Sequence, residues 1–306
     1  MQKNVIIDLV HTGFNLLCGG ITVHFELCRI LNELGVNAKI KSQYKTQNYI
    51  CNNYYDNDFP VDNNCVVIYG EMIEGNPLNA KNVVRWILAP IEVFSSMNTV
   101  NTWGKNDLVY YFNMENKFSL FPERVGSVYK LLSTLHVNPS IQNYNLEKKG
   151  TCYSLRKYHM HKDGINVMHY NDSFEITYNH SQEECIEIFN KHEYFISYDP
   201  LTFLNTIAAL CGCVSIVHPI KGLTKQQWLK TTAAAEYLKR KELDNLYGIA
   251  YGVDQSEILN AFNTLHLVKE QWDDILKFNI ETSVIPFLNN INNFENMENT
   301  VQNNYY

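Results

Sequence analysis

Apolar residues in this chain follow two periods. The run NVIIDLV, Asn4 to Val10, is nearly continuous, as in strands that a parallel sheet buries on both faces. In the following ITVHFELCRILNELG, Val23, Leu27, Ile30, Leu31 and Leu34 recur at helical spacing, and Gly35 stands at the expected stop. VNAKI, Val36 to Ile40, reads as a second strand. Strand, helix and strand in so short a span predict a parallel sheet, whose ligands gather at the carboxyl ends of its strands.

After a polar stretch at 41–63, CVVIYG (Cys65 to Gly70), NVVRWILA (Asn82 to Ala89) and DLVYYF (Asp107 to Phe112) supply further strands, and GSVYKLLSTL an element of undecided type. The pattern lapses over NPSIQNYNLEKKG, Asn138 to Gly150, as in a linker, and then restarts. TCYSLRK and INVMHY are strand-like, and SQEECIEIFNKH predicts an amphipathic helix capped by Ser181. Glu257 to Phe278 predicts one helix and SVIPFLNNINN another, ahead of a polar, disordered tail from Phe294. The expected division is 1–146, 147–278 and a terminal helix with tail at 279–306, giving two α/β halves.

The densest patch is YFISYDPLTFLNTIAALCGCVSIVHP, Tyr194 to Pro219. YFISY predicts a buried strand, Asp199 a helix cap, Pro200 the first helical residue, and Gly212 the stop before the strand CVSIV. Phe203, Ile207 and Leu210 form an apolar row with Leu204, Ala208 and Cys211 beside it, while Thr202, Asn205 and Thr206 break it. Asp199 either simply caps the next amides or meets a ligand at the sheet's carboxyl edge. Its charge opposes a phosphate there and suits ribose or sugar hydroxyls.

Composition narrows the classes. At 306 residues and 45% hydrophobic, the chain has room for two domains with their own cores. A net charge of -7 leaves no broad basic field for nucleic acid. No apolar run reaches the roughly 18 residues of a membrane span, and MQKNVIIDLVHTG shows no signal-peptide pattern, so a soluble, cytoplasmic protein is expected. The eight cysteines lack CxxC spacing and predict free buried thiols. DND at Asp56 to Asp58 follows no hydrophobic strand, and His159 and His161 lack a third ligand, so no metal is expected.

The segments VIYGEMIEGNPLNAKNVVRWIL, GTCYSLRK, YFISYDPLTFLNTIAALCGCVSIV and LYGIAYGVDQSEILNAFNTLHLV together resemble a group of bacterial and large-virus glycosyltransferases with the GT-B fold. The resemblance covers residues 3–275 and is most specific in GNPLNAKNVVRW and YDPLTF…AALCGC. It implies two facing Rossmann-like domains with an interdomain cleft, an acceptor-binding first half, a second half binding a nucleotide diphosphate sugar, and no metal or other cofactor. Better-known retaining GT-B enzymes hold ribose with a glutamate five residues before a turn glycine; Ile207 occupies that position, before Gly212. In the group this chain resembles, Asp199 and Thr202 stand in, with Asn205 one turn on.

On that reading Arg156 and Lys157, at the end of TCYSLRK, neutralise the leaving diphosphate. Gly19 and Gly20 let a substrate approach backbone amides. Glu71, directly after CVVIYG, is the first candidate for the base that activates the acceptor hydroxyl, and His11 the second. Asn76 and Pro77 shape the loop GNPL, Arg85 reads as a buried, paired core residue, and Lys221 and Lys225 have no spacing argument. The expected partners are a nucleotide sugar and a glycan acceptor, with no nucleic acid; a homo-oligomer stays open. The rival is a non-catalytic nucleotide-sugar or glycan-binding protein on the same scaffold. A dinucleotide oxidoreductase is disfavoured because no G-x-G-x-x-G opens the first helix.

Overall fold

The computed structural model describes residues 2–10, 13–14, 18–91, 93–113, 130–156, 158 and 167–293. These fall into two compact units. One runs up to His136 and takes back the chain from Leu276 onward; the other is Val137–Ile275.

The first unit contains β1 (Asn4–Asp8), α1 (Gly19–Glu33), β2 (Ala38–Lys41), β3 (Cys65–Gly70), β4 (Asn82–Ile87), α2 (Met97–Asn101) and β5 (Leu108–Tyr111). All its strand pairs are parallel, in the order β2-β1-β3-β4-β5. The continuous apolar run of β1 is buried on both sides, as its composition requires. Val5 and Ile7 pack with Phe25, Leu27 and Leu31 of α1, while Ile6 joins Val67, Tyr69, Val83 and Phe59 on the opposite face. Gly35 ends α1 at φ +85°, a conformation that side-chain-bearing residues rarely adopt.

The second unit contains β6 (Thr151–Ser154), β7 (Phe174–Glu175), α3 (Gln182–Lys191), β8 (Tyr194–Ser197), α4 (Leu204–Leu210), β9 (Val214–Val217), α5 (Lys225–Lys230), α6 (Ala235–Lys241), β10 (Ile249–Tyr251) and α7 (Gln255–Thr264). Its sheet is again parallel, ordered β10-β9-β8-β6-β7. Taken from the β7 end, that is the connectivity of the first sheet repeated. Two parallel five-stranded sheets with covering helices make this a mixed α/β protein of two Rossmann-like units. Ser181 caps α3 in a reciprocal capping box with Glu184.

A 3₁₀ turn, Leu265–Leu267, breaks the long C-terminal helix into α7 and α8 (Val268–Asn279), and a π-helical turn, Ile280–Val284, leads into α9 (Ile285–Asn292). Val284, Phe287 and Ile291 enter the core of the first unit, with Phe287 edge-on to Tyr110. The apolar face of α9 thus takes residues 276–293 back to the first unit.

Two local expectations change. Pro200 does not open α4: Asp199 Oδ1 accepts the Leu201 amide at 3.0 Å and Asp199 O that of Thr202 at 3.3 Å, closing a separate turn. The helix begins at Leu204. Of INVMHY, residues 167–170 form no strand, because the Met168 amide donates to Tyr198 Oη at 2.7 Å rather than to a ladder. The strand beside β6 is Phe174–Glu175.

Candidate functional site

In an open parallel sheet the crevice for ligands opens where the strand order reverses, outside the carboxyl ends. The second sheet reverses between β6 and β8, since the chain goes from β6 to β7 on one side and returns to β8 on the other. Ser154 and Ser197 are partners across these strands. Arg156 and Asp199, each two residues further on, therefore emerge together at the reversal.

Arg156 is 7% exposed. Its Nη2 donates to the Thr177 carbonyl, its guanidinium lies 4.8 Å from the centre of the exposed Tyr178 ring, and its Nε has no hydrogen-bond partner among the described residues. Among the described residues no carboxylate pairs with it. A buried cation without a counter-charge is costly, and an anionic ligand would relieve the cost.

Asp199 is buried, with its backbone oxygen accepting the Ser197 hydroxyl at 2.8 Å. Thr202, half-buried, accepts the Leu204 amide on Oγ1 at 3.3 Å. Asn205 is buried: its Nδ2 donates to Thr202 O at 3.3 Å, and its Oδ1 accepts the Ser215 hydroxyl at 3.0 Å, tying α4 to β9. Ile207 is buried in the same helix. Lys225 is held by Glu257 at 2.7 Å and Asn245 at 2.6 Å.

A ring stack borders Tyr198, one residue before Asp199. His169 lies parallel to Tyr153, with centroids 3.6 Å apart, and its Nδ1 is 2.9 Å from Tyr198 Oη. Tyr198 Oη also accepts the Met168 amide at 2.7 Å, so the same hydroxyl ties both residues of the loop to the end of β8. The stack joins rings from β6, the loop after it and the residue just past β8, too far apart in sequence for any local signal.

The first sheet reverses between β1 and β3. At the end of β1, Asp8 is buried, accepts the Val10 amide at 2.8 Å and pairs with Lys41 at 3.1 Å. Glu71 follows β3, 5% exposed, with Oε2 accepting the Leu88 amide at 3.1 Å. Burial pushes its carboxyl above the ordinary range, against the opposing pull of the Leu88 and Ala89 amides.

Gly19 and Gly20 form the first turn of α1. One turn on, His24 is buried edge-on to Trp86, 4.9 Å between centroids, and burial drives its pKa down to about 4. A histidine on the apolar face of a predicted helix was the available signal for it. Asn76 does shape its loop, accepting the Ala80 amide at 3.0 Å and the Tyr69 hydroxyl at 3.1 Å. Arg85 is fully buried, ion-paired to Asp107 at 2.7 Å. His11, Lys157, His159 and His161 lie outside the described residues, as does the tail from Phe294.

All eight cysteines are free thiols, seven of them buried. Among the described residues no helix is long and apolar enough to cross a membrane.

No family model matches this sequence. No curated protein matches it either. Among solved structures, the chain is similar to the "Glycotransferase of kitacinnamycin" at 9% identity and a TM-score of 0.41, with 96% of this chain and 100% of that one covered. A likeness of that degree decides neither substrate nor mechanism.

Proposed function

We propose that this protein is a glycosyltransferase that moves a sugar from a nucleotide diphosphate sugar to a hydroxyl of a glycan or glycoconjugate without a metal. The observation carrying the reading is Arg156, a buried guanidinium with no carboxylate partner among the described residues, at the strand reversal beside Asp199. Its unpartnered Nε suits a diphosphate oxygen, and an arginine there supplies the charge neutralisation that a metal gives elsewhere. Asp199 and Thr202 serve sugar or ribose hydroxyls, Asn205 braces them through Ser215, and Lys157 adds a second cation.

For direct attack, the acceptor hydroxyl gives its proton to Glu71 while its oxygen bonds to the anomeric carbon. The bond from that carbon to the diphosphate oxygen breaks, the electron pair stays on that oxygen, and the nucleotide diphosphate leaves with its charge met by Arg156. A raised carboxyl pKa brings Glu71 nearer the working range of a base. His11 is the second candidate for that task, and Gly19 and Gly20 open amides on the acceptor side.

The engaged carboxylate of Glu71, together with Ile207 where better-known retaining GT-B enzymes place a glutamate, favours one rival: a nucleotide-sugar or glycan-binding protein without turnover. A thermal-shift screen of UDP, GDP, dTDP and CMP sugars with EDTA present tests the donor site. A true donor stabilises the protein by roughly 2 to 3 kcal/mol at about a hundred times its dissociation constant. Release of nucleotide from the stabilising donor identifies the transferase, and binding without release identifies the binder. Stabilisation by none of them ends the transferase reading and the nucleotide-sugar binder, and leaves only a glycan binder.

A further inference from the structure

We propose that the carboxyl edge of the first unit's sheet holds a hydroxyl-binding site, in which His24 Nε2 accepts a hydrogen bond from a saccharide hydroxyl and the first amides of α1 donate to the same ligand.

The tautomer of His24 follows from its neighbour. Nδ1 lies 2.5 Å from the Gly20 carbonyl oxygen, which can only accept, so the ring proton is on Nδ1 and Nε2 carries a bare lone pair. His24 is 6% exposed, and Nε2 has no hydrogen-bond partner among the described residues. Buried acceptors are seldom left unmet without a reason such as a ligand. The depressed pKa keeps the ring neutral at physiological pH, which suits an acceptor of hydrogen bonds and not a proton-abstracting base.

Nε2 is buried from solvent, and two further features stand around it. α1 has fifteen residues, no side-chain cap from Cys18 and no acidic residue in its first turn. The Ile21 and Thr22 amides donate to Cys18 O, while those of Gly19 and Gly20 have no partner among the described residues. His24 Nε2 faces the end of β3, where a Cβ on Gly70 would stand 3.8 Å away, and β1 and β3 flank the reversal of strand order. A ligand group serving both partners must donate to Nε2 and accept from amides, which a hydroxyl does. A cation is excluded by the helix N-terminus, and a phosphate is opposed by Glu71, next to Gly70.

The site goes beyond the transferase reading and rests on it only in taking the saccharide as the acceptor. The full chain, labelled with ¹⁵N-histidine, is titrated with mono- and disaccharides and separately with inorganic phosphate, with no nucleotide present. Long-range ¹H–¹⁵N spectra follow His24 Nε2, assigned by its loss in His24→Asn. The expected result is an Nδ1-protonated ring whose Nε2 resonance moves with saccharide and not with phosphate.

His24→Asn keeps a group that reaches Gly20 but loses the acceptor, and weakens saccharide binding about tenfold or more, about 1.4 kcal/mol. His24→Gln places an amide oxygen near Nε2 and stays within about threefold of wild type. A proton on Nε2, a resonance moved by phosphate alone, or one moved by nothing overturns the proposal, and these wild-type readings stand even if the variants fail to fold. Without nucleotide in the titration, its failure leaves the donor site at Arg156 standing, and failure of the nucleotide screen leaves His24 standing.

Discussion

Arg156 and Asp199 leave neighbouring parallel strands at one level, each two residues past the paired Ser154 and Ser197. A cation and an anion that follow adjacent strands without pairing with each other divide the proposed work of holding a nucleotide diphosphate sugar, the first for phosphate oxygens and the second for hydroxyls. Arg156→Ala is expected to weaken binding of the nucleotide diphosphate by about 1.5 to 3 kcal/mol, roughly tenfold to a hundredfold, by titration calorimetry. Arg156→Lys, which keeps the charge but not the fork, recovers part of the loss. Unchanged affinity in the alanine variant would place the diphosphate elsewhere.

Glu71 separates stability from turnover. Its folded pKa lies above the ordinary 4.5, so its contribution is fully present below that value and is lost as pH rises through the folded pKa. At pH 7 the ionised group therefore carries a burial cost. Glu71→Gln is expected to be at least as stable as wild type in urea at pH 7, with the difference shrinking toward pH 4.5. If Glu71 is the base, the same variant loses about 10² to 10⁴ in turnover; full activity would pass that role to another residue.

His24 gives the opposite pH dependence. Its folded pKa, about 4, lies below the unfolded 6.5, so the unfolded chain binds the extra proton first as pH falls. Stability drops between about pH 6.5 and pH 4, by up to about 3 kcal/mol from this residue. The difference in urea midpoint between wild type and His24→Asn should change across that window and be flat above it. A difference flat throughout contradicts the burial of a neutral ring.

Arg85 is fully buried between the rings of Tyr69 and Trp103, with Asp107 as its carboxylate. Asp107→Ala strands that charge and is expected to cost about 3 to 5 kcal/mol. Replacing both partners with Arg85→Met and Asp107→Leu should recover much of it. Urea unfolding of the single and double variants reads the coupling directly.

The elements were legible because their signals are local. Nearly continuous apolar residues marked β1, the spacing from Val23 to Leu31 marked α1, and Ser181 with Glu184 marked the start of α3. Arg85 was legible as a buried, paired residue because an arginine inside VVRWIL has no solvent to reach. The start of α4 was misplaced because Asp199 offered two local bonding schemes, and the separate turn won over the cap.

Local patterning along the chain is enough to specify two α/β halves, most of their strands and helices, and which polar residues stand just after a strand. Which of those strand ends are neighbours is set by folding, since pairing joins residues as distant as Ser154 and Ser197. Folding returns residues 276–293 to the first unit through Phe287 and Ile291, leaves Arg156 without a carboxylate among the described residues, and sets His24 Nε2 against Gly70 with nothing to bind. A side chain's type is written in the chain, whereas whether it is satisfied depends on atoms that the fold alone brings to it.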